Sequence, residues 1–214
     1  MASSLVGATL LGFAANRVLK ALVGQQQEQV LGGFPRSRWL LSAFIQGFIL
    51  PPLIFLSVSS ASAGGLSWNQ WLAAPACSLA GAGRWYVYAL FGSQTRDMFP
   101  MPADSSTLLK VHHWVVVSAC VLSLLAPQGF GLFTAATFVL ELGSLLFNLR
   151  VLYPGSGIIN VLYQVCMLAS NLAALAGGVL LLGMPAIPLW MKCLYFTTDV
   201  AVVIGRQRHA LKDA

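Results

Sequence analysis

Charge is what this sequence has least of: charged residues fill 8% of its 214 positions, and only six are acidic, where a soluble domain carries roughly 25%. Hydrophobic residues make up 57%, and the two figures together exclude a soluble globule. Cysteine pattern is absent as well. Cys77, Cys120, Cys166 and Cys193 lie far apart in apolar segments, with no C-x-x-C pair and no metal-ligand spacing. They read as free thiols packed as small apolar groups, and neither a metal nor another cofactor is implied. There is no internal repeat, low-complexity tract or long linker, which leaves one helical domain. The net charge of +6 is dispersed rather than gathered into a stripe, so nucleic acid is not an expected partner.

What is present is a series of apolar runs. A hydrocarbon core takes around 20 apolar residues per helix. Runs bounded by Gly, Pro, Ser or charge fall at 3–22, 39–60, 69–91, 108–126, 130–152, 158–182 and 186–205. The expected fold is an all-α polytopic transmembrane bundle of about seven helices: an N-terminal helix and loop over 1–35, the main transmembrane domain over 36–207 and a basic tail over 208–214. Asn16, Arg17 and Lys20 crowd the end of the first run, and no acid precedes Glu28. That run reads either as a true span or as an organelle-targeting segment. Pro51-Pro52 should kink the second run by removing backbone donors, and Pro100-Met101-Pro102 marks the longest loop.

Lysine and arginine order the topology. Arg17, Lys20, Arg36 and Arg38 flank the first connection, Arg96 and Lys110 the third, Arg150 the fifth, and Arg206, Arg208 and Lys212 the carboxyl end; the connections near 63–65, 127–129 and 183–185 carry no charge. Seven spans put every basic flank on one face, with the amino terminus outside (lumenal) and the carboxyl terminus on the cytoplasmic or matrix side. Trp68, Trp71 and Trp190 then fall near the outer interface, and Trp39 and Trp114 near the inner one.

An ionisable group inside a span is costly unless paired or facing a cavity, which singles out Arg84, His112, His113, Glu141 and Asp199, with Lys192 nearer the outer end. Three of the runs descend from outside to inside, and a rise of about 1.5 Å per residue puts Arg84, Glu141 and Asp199 at similar depth. Arg84 is therefore expected to be neutralised by Glu141, Asp199 or both. Glu141, Ser144 and Asn148, spaced three and four apart, share one face that should look into the bundle. Arg150 lies off that face and is expected to snorkel to the inner headgroups. His112 and His113 open the fourth helix, where a neutral imidazole can act as a general base; adjacent residues diverge by about 100°, so at most one points squarely inward. In the sixth helix Ser170 and Asn171 precede a small-residue stretch, Ala173 to Gly178, that permits close helix approach.

Arg96-Asp97-Met98-Phe99, a short loop, His112-His113 and then the helix reading ELGSLLFNLR resemble the core of the TLC domain family, which includes ceramide synthases, a translocon-associated protein and smaller membrane proteins implicated in lipid composition. The resemblance spans about 36–207 and is strongest over 96–153. His112 and His113 match the family's histidine pair, Glu141 its acidic position, and Asn148 and Arg150 the end of the motif of non-synthase members. The cluster from Arg206 to Lys212 is similar to the family's basic tail. Ceramide synthases carry carboxylates where Ser144 and Asn148 stand here, so the resemblance implies the non-synthase branch and a role in binding lipid or influencing membrane lipid composition. Two alternatives stand beside it: a structural subunit of a larger organellar membrane complex, partnered by other integral membrane subunits, and an acyl-CoA-dependent N-acyltransferase using His112, His113 and Glu141. The expected lipid-binding or buried polar set is Arg84, Glu141, Ser144, Asn148 and Asp199.

Overall fold

The computed structural model describes residues 1–23, 29–31, 33–79, 81–99, 101 and 107–212; Glu28, Pro100 and Pro102 lie outside them. The chain is an all-α membrane bundle. α1 (Ala2–Val23) leads to two paired two-residue strands, β1 (Val30–Leu31) and β2 (Phe34–Pro35). α2 (Arg36–Phe44) runs through a π-helical turn (Ile45–Ile49) into α3 (Leu50–Ala63), and α4 (Trp68–Ala73) is short. α5 (Gly81–Met98), α6 (Thr107–Leu125), α7 (Phe130–Leu152), α8 (Gly157–Leu182) and α9 (Leu189–Lys212) complete the chain. Among the described residues four rods, Ala2–Leu22, Arg36–Ala63, Phe130–Leu152 and Gly157–Leu182, are long and apolar enough to cross a bilayer, and Leu109–Leu125 is a shorter apolar helix. α9 continues through the basic residues to Lys212, so the expected boundary at 207 falls inside a helix.

The prolines of the second rod are accommodated by a change of hydrogen-bond register. Pro51 and Pro52 have no N–H to donate, and directly before them the Leu50 N–H reaches back five residues to the Ile45 carbonyl. Such π turns recur at functional sites, and this one carries the buried Gln46.

The third expected span, 69–91, is broken in two. Ser67 and Gln70 form a reciprocal capping box that starts α4, and Pro75 stops it: Ala74 before it is extended, at φ −62° and ψ 145°. The released carbonyls of Ala73 and Ala74 accept the Gly129 and Phe130 N–H groups at the start of α7, while the Trp71 indole donates to Ser57 Oγ at 3.2 Å. The approach of α4 to α7 needs a glycine, since a Cβ on Gly131 would stand 2.1 Å from the Trp71 carbonyl oxygen.

That break moves α5 later in the chain, and everything on it moves deeper. Tyr86, Val87 and Leu90 are wholly buried, because α5 packs against α1, α3 and α6. A helix holding Arg84, Arg96 and Asp97 is poor lipid-facing material, and its central place follows. α8 shows the opposite character: Ile158, Val161, Val165, Leu168 and Leu172 form an exposed apolar face of the kind that meets lipid tails. α1 is clipped to α5 at Gly92, where a Cβ would stand 2.5 Å from the Ala8 carbonyl oxygen. In lipid, helix association rests on such close packing rather than on a hydrophobic driving force. The four cysteines are free; Cys120 is buried and Cys166 partly so, but Cys77 and Cys193 are exposed instead of packed.

Candidate functional site

Glu141 is the centre of a buried chain of side-chain hydrogen bonds. Its Oε1 accepts from Gln94 Nε2 at 3.1 Å, and its Oε2 accepts from Gln46 Nε2 at 2.6 Å. Gln94 Oε1 is met by His113 Nδ1, and Gln46 Oε1 accepts from Asn148 Nδ2 at 2.7 Å. The carboxylate accepts through both oxygens, which orients both amides and leaves their carbonyl ends to accept in turn. All five residues are under 9% exposed. The π turn, α5, α6 and α7 are thereby joined through one polar row.

Toward the C-terminal end of α5, Asp97 holds two arginines. Arg38 Nε donates to its Oδ1 at 3.0 Å and Arg96 Nη2 at 2.6 Å, while Ser42 Oγ donates to Oδ2 and accepts from Arg96 Nη2. Arg96 is 2% exposed. A third cluster ties α9 to its neighbours: Arg206 donates to Ser144 Oγ at 2.9 Å, the Leu140 carbonyl at 3.0 Å and Asn171 Oδ1 at 3.1 Å. Asn171 passes its own Nδ2 donor to Gln207.

Two cavities meet at this row. The first lies among α6, α7, α8 and α9 and has about 100 Å³ open to the centre of a water-sized sphere; its wall is carbon apart from His112, Glu141, Thr137, Tyr195, Thr198 and Asp199. The second, of about 90 Å³ on the same measure, is polar, and Arg38, Ser42, Gln46, Gln94, Asp97 and Asn148 help to line it with both histidines. His112 faces both spaces, and its buried Nδ1 has no hydrogen-bond partner among the described residues. In the apolar cavity the same is true of Asp199 Oδ2. One space is walled mainly by carbon and the other by amides and charged groups, with His112 between them.

Glu141 and Asn148, expected to share one face, lie in one buried row, and His113 joins it through Gln94, with Ser144 one turn away on the Arg206 cluster. The two histidines diverge: His113 is fixed to Gln94, and His112 is the one presented to both cavities. The expected pairing of Arg84 does not form. Arg84 is exposed in the first turn of α5, three turns from Gln94, because the break at Pro75 shifts the helix start; no ion pair among the described residues joins it to Glu141 or Asp199. Gln94 occupies the place beside Glu141 instead. Arg150, expected to reach for headgroups, bonds Asn160 on α8 at 2.9 Å and lies over the Tyr163 ring. Arg38, Arg96 and Arg206, read as topology markers, are internal partners. Gln46 and Gln94 are the residues that sequence reasoning missed. The available signal was an amide inside each of the runs AFIQGFIL and LFGSQT, since a mid-membrane amide needs a partner as a charge does.

No known family model, curated protein or solved structure matches this chain.

Proposed function

We propose that this chain is a multi-pass membrane protein of TLC type that binds a lipid and through it influences membrane lipid composition. The observation that carries this reading is the junction at His112, where an apolar cavity and a polar cavity share one wall residue. The resemblance to the non-synthase TLC members supports it, since His112, His113, Glu141 and Asn148 are the residues of that motif. In the membrane the chain crosses seven times, with the amino terminus lumenal and the carboxyl terminus on the cytoplasmic or matrix side. Arg17, Lys20, Arg36, Lys110 and Arg208 support that orientation at one end of the rods, and the uncharged connections support it at the other.

A second reading, an accessory subunit of a larger organellar membrane complex, draws on Ala173 and Ala176, small residues exposed on α8 where a partner helix can approach closely. Purification in mild detergent with mass spectrometry of co-migrating lipids and proteins separates the two. Lipid binding gives a small particle enriched in one lipid class, and His112→Phe loses that lipid while keeping the particle intact. A stoichiometric set of foreign membrane subunits with no enriched lipid overturns it in favour of the second reading. Acyl transfer to a lipid amine by the purified protein, abolished in His112→Phe, would instead establish an N-acyltransferase.

A further inference from the structure

The polar groups of the apolar cavity share one property: they accept hydrogen bonds and have almost none to give. Thr137 Oγ1 donates its hydrogen to the Phe133 carbonyl at 2.8 Å, Thr198 Oγ1 to the Leu194 carbonyl at 2.7 Å and the Tyr195 hydroxyl to the Ala119 carbonyl at 3.0 Å. A hydroxyl has a single hydrogen, so each of these oxygens is left with lone pairs alone. Glu141 accepts through both oxygens. Asp199 Oδ2 and His112 Nδ1 are buried without a partner among the described residues. A carboxylate oxygen can only accept, and a neutral imidazole nitrogen presents either a hydrogen or a lone pair. Among the described residues of the lining, His112 is therefore the one side chain with a donor to offer.

Charge points the same way. Asp199 and Glu141 are the acids of this lining, and Arg206 is the cation whose field reaches both. Its guanidinium donates to Ser144, Asn171 and the Leu140 carbonyl, not to either carboxylate. Two acids against one cation leave a negative charge over, and an uncompensated charge inside a membrane is costly. Gly178 makes room for it: a Cβ there would stand 3.2 Å from Asp199 Oδ2, so the carboxylate lies directly against α8.

We infer that this cavity binds a primary ammonium group, with Asp199 as its counter-charge and His112, Tyr195 and Thr198 as further acceptors. Three N–H donors on one cation suit a wall of lone pairs, whereas a carboxylate or phosphate would find no donor beyond His112. The space is about 100 Å³; an apolar cavity of about 150 Å³ holds benzene, so this one takes about four heavy atoms. A short alkylammonium is of that size, its carbons against Val116, Ala136 and Ala174. The inference goes beyond the lipid-binding reading and does not depend on it, since a free amine and the amine end of a lipid head present the same chemistry.

The test uses the full-length protein in amphipol and isothermal titration calorimetry, in two arms. In the first, propylammonium binds saturably, tetramethylammonium, which has the charge but no N–H, binds about tenfold more weakly, and propionate does not bind. In the second, lysolipids with phosphoethanolamine and phosphocholine heads, which differ only in N-methylation, are compared. Preference for N–H donors in either arm, weakened about tenfold by Asp199→Asn, supports the site, and the arm that shows it tells free amine from lipid head. Thr198→Val, which keeps the shape and removes one acceptor, weakens the same binding about threefold and carries the test if Asp199→Asn does not fold. Methylated and unmethylated probes that bind alike in both arms, binding unmoved by the variants, or no binding in either arm overturns the ammonium site. None of these touches lipid binding, which is read from the lipid that co-purifies.

Discussion

In the C-terminal half of α7, Glu141, Ser144, Asn148 and Arg150 each share a hydrogen bond with a side chain of a neighbouring segment. In its N-terminal half, Leu132, Phe133 and Ala136 face carbon and line the apolar cavity. The C-terminal half is thus held by a row of directional side-chain bonds, and the N-terminal half mainly by packing, apart from the Thr137–Tyr86 bond and the α4 carbonyls at its start. Loss of one partner in the polar row strands a buried polar group, which costs its full desolvation; a change of volume in the apolar half costs only what the surroundings fail to refill. The two halves should therefore respond differently to substitution.

The largest effect belongs to Asp97→Leu. It leaves Arg96, almost fully buried, and Arg38 without their shared counter-charge, and breaking such a buried pair costs about 3–5 kcal/mol. Thermal unfolding in detergent reads it as loss of a folded population; a Tm unchanged from the wild type would mean that this cluster does not hold the fold.

Next comes Glu141→Leu, which strands the Gln46 and Gln94 Nε2 donors together. Each stranded donor costs about 1–3 kcal/mol, whereas Glu141→Gln keeps one acceptor oxygen and should lose roughly half as much. Equal losses in the two variants would show that bulk at this position, rather than hydrogen bonding, sets stability.

The smallest effect sharpens the contrast along α5. Arg84→Leu should change stability by less than about 0.5 kcal/mol, since that side chain is exposed, while its counterpart three turns along α5, Arg96, is almost fully buried and donates to both Asp97 and Ser42. A loss at Arg84 comparable with that at Asp97 would restore the buried pairing expected from depth alone.

That last case shows what was legible in the sequence and what was not. The helical bundle was, because 57% hydrophobic residues in runs of membrane length have few other solutions. The limits 130–152 coincide with α7 and 158–182 nearly with α8, since Gly129, Pro154 and Gly183 punctuate those runs. The run 69–91 misled because its apolar character is continuous across a turn: Pro75 was the mark of the break, and α4, of six residues, is too short to cross. The depth of Arg84 followed from that one boundary. Glu141 and Asn148 were legible because a spacing of three and four puts them with Ser144 on one face; which of His112 and His113 would join them was not, since adjacency alone does not choose between the two. Gln46 and Gln94 escaped because a neutral amide raises no alarm in a search for charge, although in a low-dielectric interior it needs partners just as a carboxylate does. The cavities themselves depend on which small residues face one another across four helices, Ala119, Ala136 and Gly177 among them, and no local pattern encodes that.

The most direct measurement of the central claim is photo-cross-linking with a lipid bearing a diazirine on its acyl chain, followed by peptide mapping. A chain that enters the apolar cavity labels residues lining it, such as Val116, Ala136 and Ala174, and Ala136→Leu suppresses that labelling. Label found only on the outward face of α8, at Val161, Val165 and Leu168, would mean that the chain meets the protein as ordinary bilayer lipid and that the cavity is not its site.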